Sequence, residues 1–176
     1  MSTKRLVTNA MLIAMFYVLS SFVSIKLGNM KFTLDSLPIL VGASLFGPVD
    51  GLLIGFFGSL LDQLLNYGFA PLTLLWVLPA AVRGLLVGLY AKRCHFEMSM
   101  KQTQFITVST ALLVTVLNTF VIWLDSVIYG YYSFAYVFGA VPVRVFSGIV
   151  TAVLFGILLP KLLPPLRRYL AIQTKN

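Results

Sequence analysis

Nine of the thirteen Lys and Arg residues fall in alternate gaps between long apolar stretches. Lys4 and Arg5 precede the first stretch, Lys92, Arg93 and Lys101 lie midway, and Lys161, Arg167, Arg168 and Lys175 close the chain. The remaining gaps hold only Lys26 and Lys31. Basic flanks resist transfer across a bilayer, so this pattern predicts an all-α, multi-pass membrane protein with its N-terminus and C-terminus cytoplasmic. Two further cations, Arg83 and Arg144, lie inside apolar segments. A charge there is costly unless it is paired or faces a polar cavity.

The apolar content supports this class. Residues are 59% hydrophobic and only 10% charged, against about 25% charged in soluble domains. The net charge of +8 flanks the apolar segments and forms no separate basic, aromatic-interleaved face, so it predicts topology and attraction to anionic lipid, with no nucleic-acid partner. The first apolar segment has basic residues before it but lacks a small-x-small cleavage site, and is expected to stay as a helix. Cys94 is the only cysteine, so no intrachain disulfide is available.

Six spans are expected in one integral domain covering 1–176. They run from Leu6 to Leu27, Ser36 to Phe46, Asp50 to Leu65, Leu72 to Tyr90, Thr103 to Leu124 and Tyr136 to Leu163. The second is too short to cross about 30 Å at 1.5 Å per residue. Gly47-Pro48 reads as a tight turn, and 91–101 as a polar linker. The glycine pairs Gly51/Gly55 and Gly84/Gly88, and the Ala10/Ala14 patch, are small-xxx-small spacings that allow helices to approach closely in lipid.

Catalytic chemistry is poorly supplied. The one histidine, His95, sits beside Cys94 in the linker, too few ligands for a metal and too far for an intramembrane dyad. No P-loop is present, so active transport would draw its energy from a partner or a gradient. Binding chemistry is better supplied: Asp35, Asp62, Gln63, Asn66, Tyr67, Trp76, Asn118, Trp123 and Tyr129 cluster with Arg83 and Arg144 towards one side of the bilayer. That inventory predicts a polar cavity for a small molecule, with aromatic rings to stack on a planar ligand. Each arginine also fits an ion pair that fixes helix register, and the tryptophans fit an interfacial belt.

The Ala10-x-x-x-Ala14 patch and the segment Asp35-Ser-Leu-Pro38 leading into Leu45-Phe-Gly-Pro48 resemble the first- and second-helix signatures of the S components of energy-coupling factor (ECF) vitamin transporters. The resemblance covers nearly the whole chain. It implies a bacterial cell-membrane subunit that binds a vitamin, needs no cofactor or metal and is not itself an enzyme. It also implies that Ala10 and Ala14 dock on a coupling transmembrane subunit bound to two ATPases, and that loops 26–34, 66–71 and 125–135 gate the pocket. Folate is favoured: Asp62 or Asp35 would accept the pterin edge, and Arg83, Arg144 or Lys31 would take the glutamate tail. Where many folate-type members carry Phe-Pro-Gly-Phe-Thr, this chain has Tyr67-Gly-Phe-Ala-Pro-Leu-Thr73. Pyridoxine, hydroxymethylpyrimidine and pantothenate are alternatives. Other classes are a stand-alone proton-coupled transporter using Asp62 or Asp125, and a membrane enzyme acting on a lipid.

Overall fold

The computed structural model describes residues 3–27 and 30–174. In chain order the elements are α1 Thr3–Phe22, β1 Ser24–Leu27, β2 Met30–Thr33, α2 Ser36–Phe46, α3 Pro48–Asn66, α4 Thr73–Arg93, α5 Met100–Ile128, α6 Phe134–Phe138 and α7 Val141–Thr174. Among the described residues, five helical segments are long and apolar enough to cross a membrane: α1, α3, α4, α5, and α6 with α7 taken together. The sixth, α2, has eleven residues, about 16 Å of helix. It is wrapped by its neighbours, with every residue from Pro38 to Ser44 buried.

Several boundaries differ from those expected. The first span stops at Phe22, and β1 pairs with β2 as an antiparallel hairpin in which Ser24 faces Thr33 and Leu27 faces Met30. Ile25 in β1 and Phe32 and Thr33 in β2 suit a pleated ribbon better than another helical turn. The fifth span runs on to Ile128, so Asp125 is helical and not part of a loop. Its start is fixed by a capping box: the Ser99 hydroxyl accepts from the Gln102 backbone N–H, and the Gln102 side chain accepts from the Ser99 N–H. The last span is broken at Gly139 and Ala140, and α7 then continues beyond Leu163 to Thr174. At 34 residues, about 50 Å long, α7 exceeds a membrane's thickness. Arg167, near its far end, donates to the Phe96 carbonyl in the α4–α5 turn.

Glycines set how closely the first four helices pack. A Cβ on Gly51 would overlap the Gly84 carbonyl, one on Gly55 would overlap Ala80, and one on Gly88 would meet Pro48. The expected glycine pairs Gly51/Gly55 and Gly84/Gly88 are therefore the α3–α4 seam. The turn from α2 to α3 requires Gly47 at φ 101°, a conformation that L side chains avoid. Pro48 follows at the first helical position, where its missing N–H costs nothing.

Leu12, Ile39, Leu40, Val41, Ala43, Ile54 and Val87 form the buried core of that half, and Ile106, Phe155, Leu159 and Leu163 bring α5 and α7 against it. At the same end of the bundle, Arg5 donates to the fully buried Asp50 carboxylate and to the Phe46 carbonyl. Asn9 also donates to Asp50, at 2.5 Å. One end of the bundle is thus closed by hydrocarbon and a polar knot, while the other is not.

Candidate functional site

At the hairpin end, between α2, α3 and α4 on one side and α5 and α7 on the other, lies a cavity of about 800 Å³. The N-terminal half of α2 forms its floor through Asp35, Ser36 and Ile39. Because α2 starts only at Ser36, the space that a full-length span would fill is left to the cavity.

The structure brings eight of the expected binding residues to this wall: Asp35, Asp62, Gln63, Tyr67, Trp76, Arg83, Asn118 and Arg144. Three others lie elsewhere. Asn66 stands behind the wall, where its side-chain amide donates to Asp62 Oδ1 at 2.8 Å and to Ser21 Oγ at 3.0 Å. Trp123 packs on Phe120 with ring centroids 5.8 Å apart and faces outward from the bundle. Tyr129 is exposed just beyond the end of α5. Lys31 lies on β2, but its side chain is outside the described residues.

Arg83 is the most enclosed of the charged groups on the cavity wall, 7% exposed. Its Nη1 donates to Ser36 Oγ at 2.8 Å, and that hydroxyl donates to Asp35 Oδ1 at 3.1 Å. Its Nε is buried without a hydrogen-bond partner among the described residues, and a buried N–H left unmade costs about 1–3 kcal/mol. Arg144, on α7, is half-buried and reaches the Val137 carbonyl at 3.5 Å. The arginines are therefore tethered and still border an open space. The four charged residues among those described on the wall, two Asp and two Arg, cancel formally.

Residues that the sequence did not single out complete the site. Phe16 from α1, Ser36 and Ser59, Thr73 and Thr115, and Ser147 and Thr151 line the same space, joined by Tyr136 from the tyrosine-rich stretch that the sequence does mark for stacking. Thr73 also accepts from the Ala70 backbone N–H and ties down the loop before α4. Thr115, Ser147 and Thr151 donate to carbonyls of their own helices, which satisfies them without a ligand. The aromatic loop at the mouth is ordered by Tyr131, whose hydroxyl donates to Asp125 and whose ring meets Tyr136 edge-on at 5.6 Å. Tyr131 is outside the spans, and that bond is the main cause of its phenol being pushed up to about 12.

Ala10 and Ala14 are both exposed on α1, on the side opposite its buried residues Asn9, Leu12 and Phe16. Leu6, Met11 and Val18 extend the same apolar exposure. Among the described residues, no group of three or more His, Cys, Asp or Glu is arranged to hold a metal.

The profile of the family described as ECF-type riboflavin transporter, S component, matches residues 1–164. The chain is similar to a UPF0397 protein of Lactobacillus johnsonii, 34% identical over 108 residues, which cover 59% of this chain and 56% of that one. It is also similar to a UPF0397 protein of Leuconostoc citreum, 37% identical over 98 residues, 54% of this chain and 51% of that one. It thus spans about half the length of the curated relatives it matches. Among solved structures it resembles an S component of a bacterial ECF transporter, with a TM-score of 0.60, 24% identity and 98% of both chains covered. FolT bound with folic acid has a TM-score of 0.58 and 23% identity over 86% of this chain and 93% of that one. At those identities the likeness speaks to the fold.

Proposed function

Because this chain belongs to the ECF-type riboflavin transporter S-component family, and is thus a multi-pass membrane protein, we propose that it captures a vitamin from outside the cell and passes it inward. Folate is the favoured cargo. The reading rests on one observation above all: a cavity of about 800 Å³, lined by two carboxylates, two guanidinium groups and the rings of Trp76 and Tyr136, within a bundle of membrane-length helices. That volume falls in the range of about 300–1,000 Å³ that buries a ligand of vitamin size. Charged groups at such depth are expensive unless they serve a ligand or each other.

In this reading the cavity opens outward and both termini lie in the cytoplasm, as the distribution of basic flanks favours. Trp76 and Tyr136 stack on the flat part of the ligand, Asp62 held by Asn66 accepts from it, and Arg144 takes an acidic tail. The exposed Ala10/Ala14 face meets a coupling transmembrane subunit that carries two ATPases. The chain itself binds and does not catalyse. Riboflavin, pyridoxine, hydroxymethylpyrimidine and pantothenate are the cargoes folate has to outcompete.

The test is to purify the full chain in detergent, identify co-purifying small molecules by mass spectrometry and absorbance, and measure equilibrium binding of each vitamin. Folate is expected to bind and to raise the unfolding temperature. A different vitamin would replace folate in the assignment. No binding by any of them would overturn the capture function.

A further inference from the structure

We propose that the first turns of α5 seat one anionic phospholipid of the surrounding bilayer, its phosphate at Lys101 and an acyl chain along Phe105, Leu112 and Val116. The site goes beyond the capture function and is independent of the cargo.

A second hollow, of about 650 Å³, lies along the start of α5 and is lined by Met100, Lys101, Gln104, Phe105, Val108 and Ser109. It shares no residue with the central cavity. Its lining is almost wholly hydrocarbon, and Lys101 is the one charged residue in it. A free anion would want several polar donors in place of that lining. A lipid wants one cation at the head and an apolar track below it.

The track is present. Lys101, Phe105, Val108, Leu112 and Val116 recur at the spacing of a single helix face, and Phe105, Leu112 and Val116 are all exposed, Phe105 by 62%. From Lys101 to Val116 the face runs about 22 Å at 1.5 Å per residue. That is longer than the ~15 Å hydrocarbon depth of one leaflet, half of the full ~30 Å. The ammonium thus stands where a headgroup would be, on a stem long enough to reach the interface.

Further cations stand at the same corner. The Tyr90 and Phe105 rings meet with centroids 6.2 Å apart, which sets the last turn of α4, with Lys92 and Arg93, beside the start of α5. Arg167 holds the far end of α7 on the Phe96 carbonyl, and its exposed neighbour Arg168 follows. Between Lys92 and Lys101 the one carboxylate is Glu97. An anionic headgroup therefore meets a net positive surround, whereas a zwitterionic one brings its own cation into it. The general attraction of basic flanks for anionic lipid becomes here a seat for a single molecule.

The experiment titrates the full chain, stripped of lipid in a neutral detergent, with dioleoylphosphatidylglycerol, dioleoylphosphatidylcholine or inorganic phosphate, and counts bound lipids by native mass spectrometry. One phosphatidylglycerol per chain is expected to bind about fivefold tighter than phosphatidylcholine, the effect of one surface cation, and inorganic phosphate is expected not to displace it. Lys101→Gln should remove the preference and leave phosphatidylcholine unchanged, while Phe105→Ala should weaken both lipids. Lys4→Gln, an exposed cation of α1, a helix that packs on α2 and α3, should change neither.

Equal binding of the two lipids by the unaltered chain, or a preference that survives Lys101→Gln, would overturn the site. An equal loss in Lys4→Gln would reduce it to diffuse surface attraction, and displacement by inorganic phosphate would make it a free-anion site; either result overturns the seat. Each of these outcomes leaves vitamin capture standing, because no residue of the central cavity is altered.

Discussion

Gly51 of α3 and Gly84 of α4 meet backbone to backbone, and a Cβ added to either would overlap the carbonyl of the other. Neither neighbour is the flexible end of a side chain, so a larger residue has nothing to push aside except helix. Gly84→Val is expected to cost about 1–3 kcal/mol or more by overpacking. Thermal unfolding in detergent checks it, with Gly148→Ala as the contrast. The added carbon there would find only Thr115 Oγ1 at 3.4 Å, and little change is expected.

The knot at the closed end makes a second prediction. Asp50 is fully buried and depends on Arg5 and Asn9. Arg5→Ala should destabilise by about 2–3 kcal/mol, less than the ~3–5 of a fully enclosed pair, because the Arg5 side chain is 37% exposed and partly screened. Asp50→Asn combined with Arg5→Ala should recover part of the loss. A double-mutant cycle on unfolding free energy measures the coupling.

Under the proposed function, the exposed face of α1 should separate binding from delivery. Ala10→Leu with Ala14→Leu adds bulk where α1 is exposed and leaves its buried face, including the cavity residue Phe16, unaltered. Vitamin affinity should stay within about twofold, since no cavity atom moves. Uptake into vesicles with the coupling subunit and ATPases should be lost. Lost affinity with retained uptake would place this face at the ligand.

Tyr131 gives the pH dependence. Its phenol is raised to about 12, with the hydrogen bond to Asp125 as the largest cause. The protonated form makes the bond, so its contribution is complete below the ordinary tyrosine value of about 10 and is lost as pH climbs through about 12. In a spectrophotometric titration, Asp125→Ala should return one late-ionising tyrosine to the ordinary range. An unchanged titration curve would break the assignment.

Charge was the most readable part of the site. Asp35, Asp62, Arg83 and Arg144 stand out because an ionised group inside an apolar run demands a reason, and all four line the cavity. Aromatic residues carry no such signal. Trp76 lines the cavity and Trp123 faces out, yet both read alike in sequence, since cavity wall and lipid interface suit the same ring. Thr115 and Thr151 were missed because small hydroxyl residues are ordinary in membrane helices, where they satisfy themselves on their own backbone, and Ser36 because its partners Arg83 and Asp35 meet it only in the fold.

The fold was legible where a span is uniform and less so where geometry changes within an apolar run. Hydropathy merged β1 with α1 because Ile25 and Leu27 extend the apolar run of the helix past Phe22. The signal that could have separated them is the dipeptide Gly28-Asn29 between two short runs that alternate Lys with apolar residues, a two-residue hairpin pattern in the sequence. The break at Gly139 was hidden likewise, because a helical kink leaves hydropathy unchanged.

The brevity of α2 has a consequence for how such a protein can diversify. The berth exists because a helix starts late, so its depth is set by where Ser36 falls in the chain, and its chemistry by a few side chains on surrounding helices whose seams lie elsewhere. A lineage can change what it carries by respecifying those side chains while the welded scaffold of α3 and α4 stays as it is.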